Sequence, residues 1–518
     1  MGHPRARYLA RVATAHYRVV VSSTPGTDRA GHAGAFTAVA RPWPESTRPT
    51  VRYDYEGISP STGEKRRPVS KEEGTTSRIN LVGRIAGSAL PLYVTMVGAS
   101  AGAVVDTVML GRHSTASLAA FAVTIAVYSP ATAAVTGVLR GVMPFAAEYQ
   151  DDPGRLAPLI RHGTWLGLSV GALGASAVGC VGVMGELTGV SRSVLSELGV
   201  FPLVMALSVI STAVGAPAIS VLVALGQGKA VMRAGLSGTA CSVVLSVVLI
   251  GGTGPWPALG LTGAGIALLT SSLVTVCQVQ RSLRSAALLP GMSWWPGRPD
   301  IAGMARLARV GAPLAGTVLI KFTVLGVLTF AAARLGTDKA AAHGVSETLV
   351  NLLYIAAVAV GQAMVPVISG AVHNADIAQA RRGVLAGVAV ALCAVGTLGS
   401  GLLLAGPWVV ALFSSDVSLR PSLMDQLLLV WVVVLADALQ AVVGFGMLGL
   451  RKTFPSMVST LVVFGALAVL AVPIADSGGL EALWMALAAA NLLQALVKSA
   501  LFYRHTRELP ADRARAGV

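Results

Sequence analysis

Between Leu81 and Phe502 the chain is almost continuously apolar, in runs of about twenty residues separated by short polar connections. A hydrocarbon layer about 30 Å thick needs roughly 20 residues of α-helix to cross it. Backbone buried in lipid must satisfy its own hydrogen bonds, and the runs lack the weak ten-residue alternation of a membrane barrel. Helices remain. They are expected at 82–105, 116–139, 158–183, 196–225, 232–251 and 259–280, then at 305–332, 340–367, 383–412, 424–447, 454–475 and 480–503. Many carry Gly, Ala, Ser and Thr, which lets helices approach closely where hydrophobicity cannot drive their association. The expected fold class is all-α integral membrane, with twelve transmembrane helices.

Charge supports this reading and excludes another. Net charge is +15, a value that in a soluble protein would suggest nucleic acid. Only 12% of residues are charged, however, against about a quarter in soluble chains. The basic residues gather in the N-terminal tail, the connections and the C-terminus, with no basic stripe carrying interleaved aromatics. The expected partner is the lipid bilayer, not nucleic acid, and the chain is expected to act as a monomer. Alternate connections divide unequally: one side holds fourteen Lys and Arg, from Arg140 and Arg155 to Arg451 and Lys452, and the other holds Arg112, Arg192, Arg334, Lys339 and Arg420. Positive charge favours the cytoplasmic side, so both termini are expected there, with the chain spanning the cell membrane.

The expected organisation is a polar segment at 1–78, a first lobe at 79–284, a cytoplasmic linker at 285–303, a second lobe at 304–505 and a tail at 506–518. Residues 1–78 have no apolar core of a signal peptide and too few apolar residues to offset the entropy of ordering. They read as a disordered tail or as a start placed ahead of Val69-Ser70-Lys71-Glu72-Glu73. Met292-Ser293-Trp294-Trp295-Pro296 reads as an aromatic anchor at the interface. Cys180, Cys241, Cys277 and Cys393 stand apart within apolar runs and read as small buried hydrophobes, with no metal or redox spacing.

Displacing the chain against itself by 222 residues brings Pro91 onto Pro313, Thr95 onto Thr317, Thr107 onto Thr329, Arg112 onto Arg334 and Pro144 onto Pro366 without a gap. Six helices per half return the chain to its starting side, so the two six-helix lobes are parallel repeats. Their pseudo-twofold axis runs along the membrane normal, which puts a substrate path between them.

Val104-Val105-Asp106-Thr107-Val108-Met109-Leu110-Gly111-Arg112, followed by Leu118-Ala119-Ala120, resembles the first helix and following loop of the multidrug and toxic compound extrusion (MATE) family. Ala341-Ala342-His343 with Gly361-Gln362-Ala363 is similar to the matching part of its second lobe, and Gly263-Ala264 after Leu261 to the start of its sixth helix. The resemblance covers about 82–503. It implies a two-lobed exporter that exchanges protons or sodium ions for organic, often cationic, compounds, with no resident cofactor or metal.

An ionisable residue inside a membrane helix costs roughly 2.5 to 3.5 kcal/mol at mid-bilayer on insertion scales, so its presence asks for a reason. Asp106 matches the family's first-lobe acidic residue, implicated in cation coupling, and could release a proton when a cation arrives. Asp437 matches a second-lobe acidic residue, and Lys321 stands where sodium-coupled members carry a glutamate. Lys321 and Asp437 can pair within the membrane, each offsetting the other's desolvation. Alternatively Lys321 snorkels and Asp437 is separately hydrated. Helix five offers Ser242 and Ser246 where one branch of the family has Asn and Asp. These serines, Tyr128 and Gln362 are candidate polar groups of the cavity, with helix packing the favoured reading of each. No phosphate-binding loop or catalytic constellation is present, so the chain reads as a transporter and not an enzyme. The competing reading is a flippase for a lipid-linked saccharide, which extra helices and a strongly cationic cavity would favour.

Overall fold

A computed structural model describes residues 17–21, 38–42, 71–252, 258–285, 297–413 and 420–515, in two units, 1–69 and 70–518. Where no regular structure is expected, the first unit contains an antiparallel ribbon of β1 (Tyr17–Val21) and β2 (Ala38–Pro42), with Val19 opposite Ala40. The β-branched run Val19-Val20-Val21 of β1 suits a strand, although two strands alone are marginal in water. The aromatic segment 292–296 and most of the inter-lobe linker lie outside the described residues.

The second unit is all-α. Its first half contains α1 (Lys71–His113), α2 (Thr115–Arg140), α3 (Met143–Glu148), α4 (Pro153–Gly179), α5 (Val181–Leu187), α6 (Arg192–Leu198), α7 (Phe201–Ala224), α8 (Gly228–Gly251) and α9 (Gly260–Ser285). Its second half contains α10 (Ile301–Ala333), α11 (Thr337–His373), α12 (Ile377–Leu404), α13 (Gly406–Phe413), α14 (Arg420–Gly449) and α15 (Thr453–Arg515). Among the described residues, ten helices are long and apolar enough to cross a membrane, and α4 with α5 forms an eleventh span bent by 47°. The apolar part of α15, Thr453–Glu508, has 56 residues, nearly three times the length one crossing needs, and breaks at Gly479, where φ is 68°. Two crossings there bring the total to twelve, as expected.

Two helices depart from the expected bounds for local reasons. The third span bends at Cys180, which follows Gly179 and precedes Gly182, where missing side chains make a kink cheap. The ninth breaks at Ala405 because Pro407 cannot supply an amide to the preceding turn. The four cysteines also depart from expectation: Cys180, Cys277 and Cys393 are exposed and Cys241 is half-buried. On a surface facing lipid an apolar side chain gains nothing from burial, so apolarity does not predict an inward position.

The repeat is visible in packing. Thr95 and Thr317 each bond back to the carbonyl of the repeated proline, Pro91 at 2.8 Å and Pro313 at 2.9 Å. Both hydroxyls bond a carbonyl one turn back on their own helix, so the two halves repeat the same local side-chain-to-backbone pattern. Between halves, α1 packs on α11 and α2 on α10, the exchange that a pseudo-twofold axis demands. At one end the α2–α10 contact is almost bare backbone: a Cβ at Gly141 would fall 2.8 Å from the Gly311 Cα, and one at Gly137 would fall 3.1 Å from the Ala315 Cα. The Gly137-xxx-Gly141 and Gly311-xxx-Ala315 spacings supply the small faces for this approach. Glu148 is ion-paired with Arg451 across the same end, and the Arg451 guanidinium lies 4.0 Å over the Phe145 ring. Trp165 donates to the Gly297 carbonyl at 3.2 Å, again joining the halves.

Candidate functional site

A cavity of about 610 Å³ opens between the halves, walled mostly by α10, α11, α14 and α15 with a contribution from α2. Most of its wall is apolar, including Leu314, Val318, Phe322, Phe445 and Phe464. A continuous polar network crosses it. Lys321 Nζ lies 2.6 Å from Asp437 Oδ2, Gln440 Nε2 donates to Asp437 Oδ1 at 2.8 Å, and Lys498 Nζ donates to Gln440 Oε1 at 2.5 Å. Lys321 also lies 3.8 Å over the Tyr354 ring. Asp437 is 1% exposed and Lys498 2% exposed, so both charges have left water.

Each element has a local reason for its place. Asp437 and Gln440 sit at i and i+3 on α14, neighbours on one helix face. Lys321 comes from mid-α10, where its long stem lies along apolar wall and its head reaches Asp437. Ionic attraction and the ring contact both act on Lys321 in a site of low dielectric.

Asp106 is elsewhere. It is 1% exposed in the first half and accepts a hydrogen bond of 2.5 Å from Ser246, supplied by the packing of α1 on α8. No cation partner is recorded for it among the described residues. Ser242 is also buried, but its hydroxyl has no partner. Tyr128 shares a hydrogen bond of 3.2 Å with Ser208 and does not line the cavity; nor does Gln362, whose amide nitrogen is buried without a partner. Thus the structure joins Lys321 to Asp437 and Ser246 to Asp106, and leaves Tyr128, Ser242 and Gln362 outside the cavity wall.

Sequence reading missed several cavity residues. Lys498 stands within the expected helix 480–503 and meets the same criterion that singled out Lys321, an ionisable group in an apolar run. Arg140 is counted above as a connection charge, yet it closes α2, lines the cavity and lies 5.8 Å over the Phe445 ring. Glu347 and His343 also line the cavity; His343 is buried, with Nε2 3.3 Å from Thr329 Oγ1 and its ring edge-on to Trp484.

Comparison with known proteins agrees with this geometry. The MatE family model matches residues 91–248, the stretch that contains Asp106 and Ser246. The chain is thus similar to MATE proteins over that stretch. It is 26% identical over 419 residues to the Probable multidrug resistance protein NorM of Aromatoleum aromaticum, covering 77% of this chain and 87% of that one. It is likewise 26% identical over 417 residues to the multidrug resistance protein MdtK of Pectobacterium atrosepticum, covering 74% and 85%. Its fold matches a multidrug resistance MATE family transporter of the MOP superfamily, solved in the outward-facing conformation, with a TM-score of 0.75 at 16% identity, over 83% of this chain and 97% of the other.

Proposed function

We propose that this protein is a MATE secondary active antiporter of the cell membrane that exports organic compounds, drugs among them, in exchange for protons or sodium ions. The two lobes would present the central cavity to alternate sides, with both termini in the cytoplasm. The drug substrates are suggested by the names of its relatives. The observation that carries coupling is the contrast between the two buried aspartates. Asp437 is already neutralised by Lys321 at 2.6 Å, whereas Asp106 has only the Ser246 hydroxyl recorded as a partner. A carboxylate held by a neutral donor can take up and release a proton or cation, and one held by a fixed ammonium has its counter-ion built in.

Each elementary charge moved through the membrane potential supplies about 2.3 kcal/mol per 100 mV, so one or two ions per cycle support useful accumulation. The ion-paired end, with Glu148, Arg451 and the Gly141–Gly311 contact, would be the cytoplasmic gate, since the basic connections lie there. The test is transport in proteoliposomes under separately imposed pH and sodium gradients, with a panel of dyes and drugs. Wild-type protein should accumulate substrate with at least one gradient. Uptake indifferent to both gradients would overturn the antiport reading.

A further inference from the structure

The charges of the cavity do not balance. Arg140, Lys321 and Lys498 line it against two carboxylates, Asp437 and Glu347. Through Gln440, two lysines share one aspartate. Lys498, fully inside the protein, has only an amide oxygen as its recorded hydrogen-bond partner among the described residues, and Arg140 meets the Phe445 ring and the Tyr354 phenol, neither of them a counter-charge. A buried ammonium without its own counter-charge costs several kcal/mol.

Hydrogen-bonding capacity is left over on the same wall. Trp484, Asn491, Gln494 and Lys498 follow one another at steps of seven, three and four residues, so they form one stripe along the last helical segment, and all four line the cavity. Trp484 Nε1 and Gln494 Nε2 are buried donors with no partner, in residues 2% and 0% exposed, and Asn491 Oδ1 is a single buried acceptor with none, so donors are in excess on this stripe. Indole N–H, amide N–H and ammonium all donate, and none of these three groups accepts there. Unspent buried donors are costly, and an acceptor on a ligand would relieve them. Gly444 keeps the approach open: a Cβ there would stand 4.0 Å from Lys498 Nζ.

We propose that this cavity selects amphipathic organic anions, a carboxylate or sulfonate on an aromatic or aliphatic body, over organic cations. The anionic group supplies the counter-charge that Lys498 and Arg140 lack and accepts from the Gln494 and Trp484 donors. The body lies against Phe445, Phe464 and Val318. A cation meets an excess of like charge, an aspartate already occupied by Lys321, and Glu347 as the one further carboxylate of the lining. This selectivity rests on the reading that the cavity binds the exported compound.

Equilibrium binding of two dyes that share a xanthene skeleton, anionic fluorescein and cationic rhodamine 6G, tests it by fluorescence anisotropy on the purified full chain. Wild-type protein should bind fluorescein at least about tenfold more tightly than rhodamine 6G. Lys498→Met should weaken fluorescein about tenfold, the loss expected for one charge-assisted hydrogen bond, and leave rhodamine 6G unweakened. Lys498→Arg should retain most of the fluorescein affinity. Equal or tighter binding of rhodamine 6G by wild type would overturn the proposal, as would equal weakening of both dyes in Lys498→Met. Should Lys498→Met not remain monodisperse, Gln494→Leu and the wild-type dye preference decide in its place. No gradient enters this measurement, so anion binding without gradient-driven flux would sink antiport alone, and gradient-driven export of cations with no anion binding would sink the selectivity alone.

Discussion

The two lobes each bury an aspartate at 1% exposure and surround it differently. In the first lobe Asp106 meets a hydroxyl contributed by a helix 140 residues away in sequence. In the second, Asp437 is held by an ammonium and an amide, with a second lysine behind the amide. Two halves that share their helix order, prolines and backbone-bonding threonines have therefore diverged where the membrane makes divergence most expensive. A repeat fixes architecture and leaves each half free to specialise, one towards exchanging an ion and the other towards holding a fixed field.

The largest effect that separates the lobes should come from Asp106→Asn. This variant keeps the shape of the side chain and a hydrogen-bond partner for Ser246, yet should lower gradient-driven transport by at least about a hundredfold, measured as initial uptake in proteoliposomes, since the exchangeable charge is gone. Comparable uptake by Asp106→Asn and wild type would move coupling out of the first lobe. Next, Lys321→Met should destabilise the protein by about 3 kcal/mol, because it strands Asp437 in a dry site. The double variant Lys321→Met/Asp437→Leu should recover most of that loss, read as denaturation midpoints in detergent. Additive losses would show that the ion pair is not a unit.

A smaller change is expected from Ser246→Ala. Loss of one hydrogen bond to a carboxylate should cost about 1 to 2 kcal/mol and shift the proton or sodium concentration that gives half-maximal transport, with the maximal rate less affected. The smallest should be Thr329→Val, which removes a partner from His343 at 3.3 Å and should change stability by about 1 kcal/mol or less.

The twelve spans were legible because lipid imposes one rule along the whole chain, and the offset of 222 residues carried the parallel repeat with it. Even the division of α15 was legible, since Gly478-Gly479 interrupts a run too long for one crossing. Rotation of each helix about its own axis was less so. Asp106 and Ser246 were both recognisable as polar groups in apolar helices, but their meeting depends on how α1 packs against α8. Arg140 was misleading, because a basic residue at a helix end carries the same signature whether it reaches headgroups or bends into a cavity. Lys498 could have been found: Trp484, Asn491 and Lys498 recur every seven residues, which marks a polar stripe that lipid would not tolerate on its own side. The apolar cysteines show the converse limit, for lipid on the outside and packed helices on the inside accept the same side chains.

The glycine contact between α2 and α10 has a consequence for speed. A joint made of Gly137, Gly141, Gly311 and Ala315 contains almost no side chain that must change rotamer when it parts, and it strands few atoms in a void. If the lobes rock apart there, little of the activation barrier comes from the joint itself, and most comes from separating Glu148 and Arg451 at the wet rim. Turnover should then respond to ionic strength on the cytoplasmic side, as a bolt on an otherwise frictionless hinge would respond to the hand that draws it.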